Sequence, residues 1–188
     1  MITIRKELQK DLAAREALLD LSFGDARFAK PSERLRRGRR PADALSFVTC
    51  EGAEVVGTVR LWNVSAGNNC PALLLGPLAV HPDFRCRGVG SALMRRALDD
   101  ARALRHAAVM LVGDESFYGR LGFSSSLTHS LVLPGLDDSK RLLGIELQFN
   151  ALADARGLVT ATGRLLSRPP LSKRATGLPA LQSLSRAA

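Results

Sequence analysis

LLLGPLAVHPDFRCRGVGS, residues 73–91, decides how the rest of the chain is read. Leu73–Val80 is an apolar run long enough for one strand, and rich enough in Leu and Val to be covered on both faces. His81-Pro82-Asp83 ends it, and Arg85-Cys86-Arg87-Gly88-Val89-Gly90-Ser91 leads straight into a helical pattern. A strand, a basic glycine-containing turn and a helix N-terminus together form an anion site. The N–H groups of the turn and the helix dipole aim at one spot, and glycine lets a phosphate approach the main chain. The familiar nucleotide motifs are absent: no Lys-Ser/Thr follows the second glycine, and there is no GxGxxG.

A second stretch, Phe117-Tyr118-Gly119-Arg120-Leu121-Gly122-Phe123, follows after one helical pattern and one short apolar run. With both in view the chain resembles the GNAT superfamily of N-acetyltransferases. The pyrophosphate motif of that family, Q/R-x-x-G-x-G/A, is met by Arg85, Gly88 and Gly90, and its FYxxxGF signature by Phe117, Tyr118, Gly122 and Phe123. The lead-in LGPLAVHP (Leu75–Pro82) and the VGD of Val112–Asp114 resemble one bacterial branch. The likeness spans residues 1–163 and implies a mixed α/β fold, a central and mostly antiparallel sheet flanked by helices.

The resemblance also implies acetyl-CoA as cofactor and direct transfer of its acetyl group to a primary amine in a ternary complex. Main-chain amides of the turn Arg85, Cys86, Arg87, Gly88, Val89 and Gly90, with the Ser91 hydroxyl, are implied to hold the coenzyme A pyrophosphate. A diphosphate needs several converging donors and little negative charge nearby. Leu78, Ala79 and Val80 are implied to offer main-chain groups to the pantetheine arm, where the central strand and the one at Val109–Val112 splay apart. The Leu78 N–H is the expected donor to the thioester oxygen. Gly76-Pro77 fits a break in that strand, since proline lacks a ladder donor.

Tyr118, the only tyrosine, is the expected catalytic acid, with Phe117 beside it against the cofactor. A phenol of pKa about 10 donates to a departing thiolate whose thiol has a pKa of about 8.5, so a hydrogen bond to the developing charge describes its role as well as full transfer does. Asp114 is expected to cap the short helix that follows it, with a main-chain contact to the cofactor as the alternative. No general base stands out: Ala72–Val80 holds no carboxylate, and nothing singles out Glu51, Glu54, Glu115 or His129. Cys86 lies between two arginines and a helix N-terminus, a setting that favours a thiolate; a mixed disulfide with coenzyme A is set against a small residue tolerated in a turn.

Composition bounds the alternatives. Among 188 residues, 46% are hydrophobic, ample for a core, and no apolar run approaches the roughly 18 residues of a membrane span. Met1–Gln9 lacks the apolar segment of a secretory signal, and three cysteines (Cys50, Cys70, Cys86) without paired spacing point to reduced thiols in a cytoplasm and to no metal site. The net charge of +9 invites a nucleic-acid reading, but Arg27–Arg40 carries +6 and Arg164–Ala188 carries +5, leaving −2 for the rest. The charge is therefore local, and nucleic acid is not the expected partner. The cluster Arg34, Arg36, Arg37, Arg39 and Arg40 reads as a solvated face, with an anionic acceptor or partner as the alternative.

Along the chain, strands are expected at Met1–Glu7, Ala44–Cys50, Val55–Val64, Leu73–Val80, Ala107–Val112, Leu127–Leu133 and Leu142–Phe149. Helices are expected at Leu8–Leu21, from Pro31 towards Gly38, from Val89 to about Leu104, and at Glu115–Leu121. Trp62 reads as a core residue and, with Arg60, as a lesser candidate for an acceptor pocket; His106 reads as a cation at a helix C-terminus when protonated. Residues 164–188, rich in Arg, Ser, Pro and Leu, read as a tail outside the domain of residues 1–163. The acceptor is expected to be a small-molecule or peptide amine, a homodimer is open, and the rival function is a coenzyme A-binding sensor or scaffold without transfer.

Overall fold

The structure, a computed structural model, describes residues 1–166. Its sheet is assembled around the long apolar strands. Ile2–Lys6 (β1), Ser46–Glu51 (β2), Glu54–Ala66 (β3) and Pro71–Val80 (β4) pair antiparallel in sequence order, β2 and β3 joined by the tight turn at Gly52-Ala53. Ala108–Val112 (β5) then pairs parallel with β4, and Leu142–Glu146 (β7) closes that edge antiparallel to β5. The expected mixed, mostly antiparallel sheet is thus present. Two short strands lie off this path: Leu131–Val132 (β6) pairs with Gly157–Ala161 (β8), which also runs against the far end of β3.

Helices cover both faces. Val89–Ala103 (α3) lays Val89, Leu93, Met94, Ala97 and Ala101 on the sheet, where they meet Phe47, Val59, Leu61, Leu73, Leu75, Val109 and Leu143. This stripe recurs at helical spacing, as an amphipathic helix on a sheet requires. On the other face, Leu12–Phe23 (α1) buries Leu18 and Leu19 against Val48, Val55 and Ala79. Pro31–Arg36 (α2) brings Leu35 to the third cluster, which holds Trp62, Val64, Leu74, Met110, Leu142 and Val159. Glu115–Tyr118 (α4) is a single turn. No helix among the described residues is long and apolar enough to cross a membrane.

Several expectations are revised. β8 is not foreseen at all: Gly157–Ala161 is short and partly exposed, and only its pairing to β3 and β6 identifies it. The strand expected over Leu127–Leu133 shrinks to two residues behind a 3-10 turn at Ser125–Leu127, because Thr128 turns its hydroxyl onto the Leu142 carbonyl instead of continuing a ladder. Arg164–Leu166 pairs with the loop after α2: the N–H of Arg40 donates to Arg164 O at 2.8 Å and that of Leu166 to Gly38 O at 2.8 Å. The remainder of the expected tail, residues 167–188, lies outside the described residues.

The feature of the fold that matters most is a change of parity within β4. Leu73 and Leu75 face α3, and so do Leu78 and Val80, although odd and even positions should lie on opposite faces; Ala79 faces α1. The register against β3 slips between Val59 and Leu61, opposite Gly76-Pro77, so an extra residue is accommodated there. Gly76 sits at φ +128°, a conformation closed to most side chains, and its carbonyl accepts a buried hydrogen bond from Trp62 Nε1 at 2.6 Å. The core role expected for Trp62 holds; Arg60 is turned away to a paired Glu7 carboxylate.

Candidate functional site

Beyond this bulge β4 has a partner on only one edge. The ladder between β4 and β5 stops at Leu74–Met110, while β5 continues to Val112 beside β7. The orientation of the unpaired main chain follows from alternation in an antiparallel pair. The N–H of His81 donates to Val56 O at 2.8 Å, so the residue pairs Val80–Gly57 and Leu78–Val59 are those whose amides turn away from β3. On the far side, Leu61 N–H donates to Leu45 O at 3.0 Å, which turns Val59 towards β2 and leads to the same assignment. Leu78 and Val80 therefore present N–H and C=O to the gap, and the Val80 carbonyl is met there by Arg85 Nε at 3.4 Å. Ala79, included among the expected cofactor contacts, has its main chain committed to β3.

At the C-terminal end of β4, a short 3-10 turn at Pro82–Phe84 leads into the exposed loop Arg85–Gly88. Gly88 is the N-cap of α3 with φ +78°, left-handed, and Cys86 also lies at φ +59°. The first helical N–H to reach a main-chain acceptor belongs to Ala92, on Gly88 O at 2.9 Å. Those of Val89, Gly90 and Ser91 point out of the helix end, as the first turn of any helix leaves them. Arg87 packs its guanidinium over Phe84, 5.1 Å from the ring centroid. Residues Arg85 to Ser91 are thus brought together around one exposed, basic helix N-terminus.

At the other end of the gap is Tyr118. Its ring lies against Gly113, so closely that a Cβ there would fall 2.2 Å from Cε2, and it meets Phe117 and Phe123 edge-on at 4.9 and 6.2 Å. Burial, followed by the nearby Asp114 carboxylate, raises the phenol above its ordinary pKa. Phe117 itself is half-exposed under Arg120, 5.1 Å from its ring, and stands outside the cleft that Tyr118 lines. Asp114 holds the N-cap position, but its side chain makes no cap; it pairs with Arg141 at 3.3 Å, and its main-chain carbonyl receives the N–H groups of Phe117 and Tyr118.

The cleft between these parts has a volume of about 260 Å³. One wall is Leu75–Leu78 with Leu111–Asp114 and Tyr118; the other comes from the end of α1, the 3-10 turn that follows it and α2, and includes Arg27, Lys30, Glu33 and Arg36. Sequence reasoning did not single out Glu33, Lys30 or Arg27 here, because nothing local to residues 23–36 signals contact with residues 75–78. Of the five clustered arginines only Arg36 lines this cleft: Arg37 donates to Phe28 O, Arg39 to Gly163 O, Arg34 lies over Gly135, and Arg40 borders another face. The carboxylates weighed as bases fall elsewhere, Glu115 being bonded to Ser125 at 2.7 Å and Glu51 and Glu54 closing the exposed hairpin. His129 is bound to Ser126 O at 2.7 Å. His106 is pushed below its ordinary pKa by burial, so the expected helix-end cation is disfavoured.

Comparison with known proteins agrees with this layout. Residues 42–125, spanning the bulged strand, the basic turn and Tyr118, match the family model described as acetyltransferase (GNAT) domain. The chain is 32% identical over 129 residues to the uncharacterized N-acetyltransferase YhbS of Escherichia coli K12, covering 68% of this chain and 77% of that one. The crystal structure of Escherichia coli YhbS, in complex with CoA, superposes with a TM-score of 0.71 at 29% identity, over 85% of this chain and 89% of the other. A GNAT family acetyltransferase from Brucella melitensis, crystallised with acetyl-CoA, shares the fold at a TM-score of 0.60 and 22% identity, over 78% and 88% of the two chains. On the sequence match and the superposition together, the chain belongs to the GNAT family of N-acetyltransferases.

Proposed function

We propose that the chain binds acetyl-CoA along the open edge of β4 and transfers the acetyl group to a primary amine in a ternary complex. The observation that carries this reading is the single track of outward-facing main chain from the Arg85–Ser91 turn, past Val80 and Leu78, to Tyr118. The fit is chemical at each point. N–H groups of the first turn of α3, with Arg85 and Arg87 close by, suit a diphosphate. Amides freed from the ladder suit a partner that carries amides of its own, as pantetheine does. The Leu78 N–H, fixed by the sheet behind it, is the donor to the thioester oxygen.

In the transfer, the neutral amine forms the new C–N bond as the C–S bond breaks; the nitrogen loses a proton and the departing sulfur gains one. Tyr118 supplies the hydrogen bond, or the proton, to that sulfur. Its raised pKa keeps the phenol protonated at neutral pH and favours the hydrogen bond over full proton transfer. Neither carboxylate of the cleft is assigned as base, since Arg36 engages Glu33 at 3.0 Å and Arg141 engages Asp114. The proton of the amine is assigned to water.

Calorimetry with acetyl-CoA, followed by mass spectrometry of an amine panel, tests this. Tyr118→Phe should keep cofactor affinity and slow turnover by about 10²-fold. Failure of the intact protein to bind acetyl-CoA, or undiminished turnover by the variant, would sink the reading.

A further inference from the structure

The walls of the cleft have an unequal charge inventory. Four cations line it, Arg27, Lys30, Arg36 and Arg141, against two carboxylates, Glu33 and Asp114. Arg141 and Asp114 satisfy each other, and Arg27 draws on Glu16 and Asp20 from α1, each at 2.8 Å. Arg36, only 7% exposed, has Glu33 on one terminal nitrogen. The Nε groups of Arg36 and of Arg27, both buried, have no acceptor among the described residues. Lys30 stands at the rim with its ammonium 3.9 Å from the Phe23 ring centroid and, among the described residues, no carboxylate in an ion pair with it. Burial, and then the charges of Arg36 and Arg141, lower its proton affinity. Residues 167–188 add no Asp or Glu side chain that could balance the wall.

A nearly buried guanidinium with a carboxylate on only one terminal nitrogen keeps donors to spare, with its other terminal nitrogen beside Gly76, and planar oxyanions are the natural complement of such donors. The diphosphate of the donor substrate does not supply one. Its turn begins beyond Val80, about 13 Å along β4 from Gly76 at 3.3 Å per residue, whereas the Arg36 terminal nitrogen lies 3.7 Å from where a Cβ on Gly76 would be.

We propose that the acceptor amine carries an anionic group, a carboxylate or a phosphate, and that Arg36, Arg27 and Lys30 hold it while its amino group faces Tyr118 and Leu78. This rests on the acetyl-transfer reading above and narrows its acceptor class. Neutral amines of the same shape would leave the guanidinium donors unanswered, so discrimination should be steep rather than graded.

The test is a matched panel with acetyl-CoA and product detection by mass spectrometry: α-amino acids against their carboxamides, and phosphoethanolamine against ethanolamine. Anionic members should be acetylated with kcat/KM at least about tenfold above their neutral partners, and whichever arm reacts identifies the anion. Lys30→Gln, a rim substitution, should reduce that ratio several-fold; Arg36→Gln, checked first for folding by thermal melt, should nearly abolish it. Neutral partners acetylated equally well, a ratio unmoved in Lys30→Gln, or no product from either set while acetyl-CoA is bound would overturn the inference. Loss of acetyl-CoA binding itself would instead overturn the reading on which it rests.

Discussion

Replacing Gly113 by alanine isolates one contact of the site. Gly113 lies in the loop after β5, outside the left-handed region, so alanine meets no backbone penalty there. Its Cβ would stand 2.2 Å from Cε2 and 2.7 Å from Cδ2 of Tyr118, and 3.2 Å from a methyl of Leu111. Ordinary contact begins at 3.4 Å, so the ring must retreat by about 1.2 Å or swing aside. Overpacking of this kind costs on the order of 1–3 kcal/mol in stability. A misplacement of about 1 Å in a reacting group costs on the order of 10²-fold in rate. Gly113→Ala should therefore melt a few degrees lower and turn over roughly as slowly as Tyr118→Phe, with acetyl-CoA affinity held. The decisive comparison is the double variant. If the alanine acts by moving the phenol, it adds little once the hydroxyl is gone; a full further loss in the Tyr118→Phe background, or a wild-type rate for Gly113→Ala alone, refutes the reasoning.

Gly88→Ala forces a Cβ at φ +78° with nothing nearby to clash, so its cost is conformational, about 1–2 kcal/mol, and calorimetry should find weaker acetyl-CoA binding. Trp62→Phe leaves the buried Gly76 carbonyl without its donor and should cost about 1–3 kcal/mol by denaturant titration, with turnover falling because the bulge loosens. The hydrogen bond from Arg5 holds the Asp11 carboxyl at about 2, below its reference 3.8. A depressed pKa means that this contribution is complete above the unfolded value and is lost as pH falls from 3.8 through about 2, so acid unfolding of Asp11→Asn should be flatter in that window. Because burial and then Asp114 raise the Tyr118 pKa, the alkaline limb of the kcat profile should lie above that of an ordinary phenol, and Asp114→Asn should bring it lower.

The parts of this molecule legible in its sequence are those whose signals are local. An apolar run, a Pro-Asp stop and a glycine turn before a helical stripe lie within residues 73–101 and specify strand, loop and helix together. The partial opening of β4 was also readable, since Gly76-Pro77 cannot sit in an uninterrupted ladder. β8 was hidden because GLVTA has too few residues to show alternation and gains its identity from distant partners, β6 and, about ninety residues earlier, β3. The cleft wall opposite Tyr118 was hidden for a related reason. Arg27, Lys30, Glu33 and Arg36 acquire meaning only when α1 and α2 are laid over the bulge. The arginine cluster was misleading as a unit, because a six-residue helix followed by a loop sends neighbouring side chains to different surfaces. Asp114 illustrates a nearer competition: a carboxylate positioned to cap was drawn instead to Arg141.

The bulge at Gly76 also bears on how the chain tolerates changes in length. Upstream of it β4 is stitched on both edges, downstream on one, and a single surplus residue converts one arrangement into the other. A residue gained or lost between Leu75 and Leu78 would swap the amides that look into the open edge for those that look into the sheet. The same event at Gly52-Ala53 would merely resize an exposed hairpin loop. Indel tolerance in this enzyme should thus follow strand parity at the bulge, with surface exposure a poor guide to it.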